Sequence, residues 1–127
     1  MNKAEILRYM RTNSKTTDEK ILSLVYKAMD TIEQTAVPKT LYRIFDCTVT
    51  DECLIIGDFR FESTRLAQNL KGCSRVVVFG ATLGVAVDRV IKVSASTDIA
   101  DAMALQAAAA SKIEEVCDGL EEQIKAE

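Results

Sequence analysis

The stretch that decides the fold reads VVVFGATLGVAVDRV and runs from Val76 to Val90. An apolar run stops at a glycine, a short connection closes on a second glycine, and apolar residues then return at helical spacing. This order predicts a strand over Arg75–Phe79, a tight connection over Gly80–Gly84 and a helix after it. Because the strand is almost unbroken in its apolar character, we expect it to be central and buried on both faces.

The Gly80–Gly84 connection has two interpretations. Its backbone N–H groups and the Thr82 hydroxyl could hold an anion at the start of a helix. It lacks the glycine pattern of a dinucleotide site and the Gly-Lys-Ser/Thr of a P-loop, however. Two glycines more often serve a tight turn. We therefore favour a structural turn and keep Thr82 as a candidate ligand-binding residue.

Two helices are predicted before the first strand. The first carries Ile6, Leu7 and Met10 on one face. Thr16 and Glu19 match a capping box that would start the second helix. That helix should end before Pro38. Its apolar stripe repeats at spacings of four, three and four residues and consists of Ile21, Val25, Ala28 and Ile32.

The middle of the chain is rich in β-branched and aromatic residues. The runs TLYRIFDCTV and ECLIIGDF flank Thr50–Glu52 and predict a β-hairpin. Gly57 and Asp58 indicate another turn, and Phe59–Phe61 a short third strand. Ser63 should then cap a brief helix that Gly72 terminates.

A long helix is predicted from Asp98 to Lys125, with its N-cap at Ser96 or Thr97. Its predicted apolar seam is Ile99, Met103, Ala107, Ala110, Ile113, Cys117, Leu120 and Ile124. Because the middle of the seam is alanine, another element should approach closely there, and an exposed seam would favour self-association. The expected fold is α+β, with a small, mostly antiparallel sheet covered by helices. We expect one domain over residues 1–127.

Composition excludes several classes of function. The chain has no histidine, which excludes Ser-His-Asp and Cys-His nucleophiles, zinc sites of the H-E-x-x-H type and His-ligated cobalt. A net charge of −3 with scattered Lys and Arg argues against nucleic acid as a partner. No apolar run approaches the ~20 residues of a membrane span. We predict a cytoplasmic protein with four free thiols, buried as small apolar groups.

The predicted C-terminal helix also carries an acidic face, formed by Glu114, Glu115, Asp118, Glu121 and Glu122. Such a face is either simply solvated or a surface that docks a basic partner. The residues alone do not decide between the two.

Three segments together resemble the activation domain of vitamin B12-dependent methionine synthase, and in particular its small stand-alone relatives. They are LYRIFDCTV, LAQNLKGCSRVVVFGATLGVAVDRVI and STDIADAMALQAAAASKIEEVCDGLEEQI. The resemblance covers about Glu5 to Ile124. Its most specific part is the order of apolar strand, ATLG turn, VDR helix and alanine-rich helix.

The resemblance implies a role in the upkeep of cobalamin. In that family the domain holds S-adenosylmethionine against a corrinoid while an electron arrives from a flavodoxin-like donor. Methyl transfer then draws the reduction of cob(II)alamin forward, so the domain positions reactants more than it supplies chemistry. Cobalamin would be carried by a partner, a corrinoid-binding protein or methyltransferase, and no catalytic residue or metal ligand is assigned to this chain.

Residues carry over from the family only in part. Its acidic D-R-L-x-E segment, which helps hold the amino-acid moiety of S-adenosylmethionine, aligns with Ser111–Glu115. The second carboxylate is retained as Glu115, and Ser111 stands in place of the first. The family's later R-x-x-x-G-Y-P-A-C segment is not reached by this sequence.

Two main functions stay open. The chain is expected to be an accessory protein for S-adenosylmethionine-dependent reactivation of a corrinoid methyltransferase, or a non-catalytic module that docks a corrinoid protein through its acidic helix. A self-contained small-molecule-binding protein is a weaker third interpretation.

Overall fold

The computed structural model describes residues 1–13 and 15–126. The chain divides into two compact units. We call Met1–Thr40 together with Ala81–Glu127 the helical unit, and Leu41–Gly80 the strand unit. The boundaries fall inside two strands, so the strand unit is an insertion in the sequence of the helical unit. The single domain over residues 1–127 stays a prediction.

Five helices and two small antiparallel sheets make up the described part of the chain, which is 56% helical and 21% strand. The predicted α+β class is therefore confirmed, as is the long C-terminal helix. In chain order the elements are α1 (Lys3–Tyr9), α2 (Glu19–Thr35), β1 (Lys39–Asp46), β2 (Thr48–Val49), β3 (Cys53–Ile56), β4 (Phe59–Glu62), α3 (Thr64–Asn69), β5 (Arg75–Thr82), α4 (Val85–Thr97) and α5 (Ile99–Lys125).

The core of the helical unit forms where α1, α2 and α4 pack against α5. The predicted stripe of α2 is buried at Val25, Ala28 and Ile32. Of the predicted seam of α5, Ala107 and Leu120 are buried, but Ile99 and Met103 keep 72% and 49% of their surface exposed. The fully buried alanines are Ala104 and Ala108, so the packed face of α5 lies one residue round from the predicted seam. Self-association through this helix stays a prediction.

Aspartates rather than the predicted threonine or serine begin the two longest helices. Asp18 caps α2 by accepting a hydrogen bond from the Lys20 N–H at 2.9 Å. Asp98 caps α5 in the same way, accepting from the Ala100 N–H at 3.0 Å. A carboxylate satisfies an unpaired N–H and also interacts favourably with the helix dipole.

The residues that were expected to cap these helices have other partners. Thr16 Oγ1 accepts from the Asp18 N–H at 3.3 Å and so lies just ahead of α2. Ser96 and Thr97 belong to the last turn of α4, where both hydroxyls donate to the Val93 carbonyl. Side chains of this kind bond back to the preceding turn when the helix continues through them.

The strand unit differs from the predicted hairpin. The run after Leu41 is interrupted at Cys47: β1 pairs with β5, and only the short β2 pairs with β3. The Cys47 N–H donates to the Ser74 carbonyl at 2.8 Å, which fixes this exchange of partners. The hairpin of β3 and β4 turns at Gly57, and α3 is capped by Ser63, as predicted.

The expected burial of β5 on both faces is wrong. Val77, Val78 and Phe79 keep 38%, 52% and 48% of their surface exposed. The physical reason is that β5 belongs to a sheet of two strands, β1 and β5. An apolar run is buried on both faces only where a wider sheet is covered on both sides.

Gly84 joins β5 to α4 in a conformation that favours glycine. Its φ is 92° and its ψ is 164°, a region that is essentially restricted to glycine. A Cβ atom there would lie 3.4 Å from the Val37 carbonyl oxygen. The Val37 N–H also donates to the Leu83 carbonyl at 2.8 Å, so this side of the turn is held in place.

Gly84→Ala should lower the free energy of unfolding by about 1–3 kcal/mol, because alanine is strained at this φ. Gly119→Ala is the matched control, since Gly119 lies inside α5 and a Cβ there meets nothing within 4 Å. The control should be more stable than the parent by up to ~1 kcal/mol, owing to helix propensity. Urea denaturation followed by circular dichroism measures both. Equal effects of the two substitutions would contradict a strained turn at Gly84.

Candidate functional site

The candidate site is an acidic cavity of about 260 Å³ in the helical unit, where the first residues of the chain meet α5. Two of the three predicted site residues, Ser111 and Glu115, line it. They lie one turn apart on α5, so their side chains share a face of the helix. The other lining residues are Met1, Asn2, Glu5, Glu114 and Asp118.

Ser111 is almost fully buried, at 3% exposure. Its hydroxyl oxygen accepts a hydrogen bond from the Asn2 N–H at 3.2 Å. This bond joins the N-terminal segment to the middle of α5. Ser111 therefore holds the wall of the cavity together, and its hydroxyl already has a partner.

Glu115 is half exposed and forms a short ionic contact in the cavity. Its Oε2 lies 2.8 Å from the α-ammonium of Met1 and 3.8 Å from Lys112 Nζ. The hydrogen bond from the α-ammonium, supported by the Lys112 charge, holds the pKa of Glu115 below its usual range. Partial burial acts in the opposite direction but does not prevail.

Thr82 does not belong to this cavity. It is the last residue of β5, and its Oγ1 accepts a hydrogen bond from the Gly84 N–H at 3.1 Å. Its hydroxyl thus stabilises the connection to α4, which is shorter than the predicted turn over Gly80–Gly84 because β5 continues through Thr82. This geometry agrees with the structural interpretation of the turn, and it separates Thr82 from the two residues on α5.

The cavity fits one part of S-adenosylmethionine. Its four carboxylates suit an ammonium group, and the Met1 α-ammonium bound to Glu115 shows how such a group is held. Among the described residues that line the cavity, none has an aromatic ring for adenine or a cationic side chain for a carboxylate. A volume of about 260 Å³ also lies below the ~300–1,000 Å³ of typical ligand pockets. The whole cofactor does not fit here.

Sequence reasoning missed the contribution of Asn2 and Glu5 to the site. They reach the cavity only because α1 packs against α5, and no local pattern announces a contact between the two ends of a sequence. It also missed the ion pair between Lys112 Nζ and Glu33 Oε1, at 3.1 Å, which connects α5 to α2. Lys112 thus pairs with the carboxylates of both Glu33 and Glu115.

In the described part of the chain, no three Cys, Asp or Glu side chains come together as a metal site. No helix there is long and apolar enough to cross a membrane. All four cysteines are free, as predicted, but Cys53 alone is buried, so the expected burial of all four thiols is wrong.

Glu115→Gln should lower the free energy of unfolding at pH 7 by up to ~1 kcal/mol, because it removes a half-exposed ion pair. A lowered pKa means that the carboxylate stabilises the fold above its unfolded pKa and loses this effect as the pH falls through the folded value. The difference between variant and parent should therefore begin to shrink near the ordinary glutamate pKa of ~4.3 and vanish only below the lowered pKa of the folded state. Glu122→Gln, a substitution at an exposed position of the same helix, should leave the free energy of unfolding almost unchanged both at pH 7 and at acidic pH. A pH-independent difference for Glu115→Gln would contradict the assigned ion pair.

Comparison with known proteins adds no relative. No family model matches this chain, and neither a curated protein nor a solved structure matches it.

Proposed function

We propose that this chain is an accessory protein in the reductive reactivation of a corrinoid methyltransferase, and that it acts by docking the corrinoid-binding protein. The proposal rests on the family resemblance of its sequence and on one structural observation. Ser111 and Glu115, the residues expected to hold S-adenosylmethionine, are already bonded to the first two residues of the chain. The geometry therefore favours docking over an independent cofactor site.

The acidic face of α5 is the proposed contact. Glu114, Asp118 and Glu122 are exposed, and no ion pair to them is found among the described residues. Unpaired carboxylates on one helix face give a local negative potential that attracts a basic surface. In this proposal the partner carries cobalamin, a flavodoxin-like protein delivers the electron, and the encounter takes place in the cytoplasm.

Docking predicts a salt-sensitive complex with a cob(II)alamin-loaded carrier protein in its base-off form. Affinity should fall as salt rises from 50 to 300 mM, because exposed charges are screened. Glu114→Gln combined with Asp118→Asn should weaken binding about 3- to 30-fold and flatten the salt dependence, at roughly 0.3–1 kcal/mol per charge. Isothermal titration calorimetry measures the affinities.

The matched control is Glu19→Gln combined with Asp30→Asn. It removes the same net charge from exposed positions on α2. This control should bind the carrier as the parent does. Equal weakening by both pairs would show a general charge effect and not a contact through α5.

A cofactor-binding function is the second candidate, and the ammonium group held by Glu115 is the observation that favours it. Titration of the chain with S-adenosylmethionine, alone and with the carrier protein, separates the two functions. We expect no binding to the isolated chain, because its cavity lacks groups for the adenosyl and carboxylate moieties. Micromolar binding that Glu115→Gln weakens would instead establish a cofactor site and overturn the preference for docking.

A further inference from the structure

The strand unit contains an apolar groove of about 570 Å³ that the proposed function does not use. It is lined by Leu54 and Ile56 of β3, by Phe61 of β4, and by Leu66 of α3 and Leu70 just after it. Apart from Arg75, all of its lining residues are apolar. Such a surface is favourable to bury and unfavourable to leave in water.

Strand β5 also lines the groove, through the four consecutive residues Val76–Phe79. Successive side chains of a strand point to opposite faces, so a groove on one face would contact only alternate residues. Contact with four in a row means that the groove follows an edge of the strand. The other edge of β5 pairs with β1. The groove therefore runs along the edge of β5 that does not pair with β1, where backbone N–H and C=O groups are not bonded to another strand.

This edge has none of the features that usually protect one. Natural edge strands carry lysine, proline or an inward charge that blocks pairing with another chain. In β5 the only charged residue is Arg75, at its start, and the seven residues that follow are VVVFGAT. The partner strand β1 is different, because it carries Lys39, Arg43 and Asp46. The two strands of one sheet thus have opposite edge chemistry.

We propose that a second copy of this chain fills the groove, with β5 of each copy pairing antiparallel to β5 of the other. A two-fold axis makes such an interface self-complementary, so each copy supplies both a strand and a groove. In this register Arg75 lies opposite the uncharged far end of the partner strand, and no like charges face each other. The pairing satisfies the open edge and shields the side of Val77, Val78 and Phe79 that faces the partner strand. It is independent of any corrinoid partner.

A second copy suits this groove better than a small apolar ligand or a foreign helix. A small molecule would cover the apolar wall but would leave the backbone groups of the edge without partners. A helix has no free backbone groups in its middle to offer them. An extended strand supplies both kinds of contact, and β5, rich in valine, is a strong strand former.

The test is hydrogen–deuterium exchange of the full chain at low and high protein concentration, combined with analytical ultracentrifugation. We expect a monomer–dimer equilibrium in which the amides of Val76–Phe79 that face the open edge, every second one, exchange at least 10-fold more slowly at the high concentration. Val78→Lys, which puts a charge on the edge, should weaken dimerisation at least 10-fold. Val93→Lys on α4, also at an exposed valine, is the matched control and should leave it unchanged.

Each alternative outcome has a clear meaning. A monomer at every concentration would overturn the proposal. So would a dimer whose protection falls outside β5, or one that Val78→Lys and Val93→Lys weaken equally. If circular dichroism shows that Val78→Lys does not fold, the concentration dependence of exchange in the parent protein decides the matter by itself.

Discussion

The helical unit depends on the close approach of its helices to the alanine face of α5. Ala104 and Ala108 are fully buried, and α1, α2 and α4 all pack against this helix. Small side chains allow helix axes to come near each other, so the long apolar residues of the shorter helices can reach past the alanines into a common core. Leu7, Val25 and Ile32 are fully buried in this way. A larger residue on the alanine face would force the helices apart.

The acidic cavity is a consequence of this packing. Because α1 lies against α5, the first two residues of the chain reach Ser111 and Glu115, more than a hundred positions away in the sequence. The contacts that form the site are thus also contacts that fasten a helix. This double use explains why residues expected to bind a cofactor are found bonded to the protein's own backbone and amine.

How much the sequence revealed depended on how local each feature is. The stripe of α2, the Ser63 cap of α3 and the extent of α5 follow from spacing and capping within a few residues, and all three were predicted correctly.

The pairing of β1 with β5 is not local, and nothing around Cys47 indicates that the strand changes partner there. The burial of β5 was overestimated because an apolar run shows only that a strand is suited to a buried position. The number of neighbouring strands and the layers over the sheet determine how much of it is buried. The meeting of Asn2 with Ser111 was out of reach for the same reason. Ser111 and Glu115 were chosen through the family resemblance, and they share a helix face because they lie four residues apart in α5.

The insertion of the strand unit between the two parts of the helical unit has a consequence during synthesis. The helices α1 and α2 are complete once Thr35 has been made, but the helix that buries their apolar faces begins only at Ile99. At ~5–20 residues per second, the ribosome needs several seconds to make the intervening chain. Throughout that delay the nascent chain presents Leu7, Val25 and Ile32 without the helix that covers them. We therefore expect its N-terminal segment to need shielding by chaperones near the ribosome until α5 has been made.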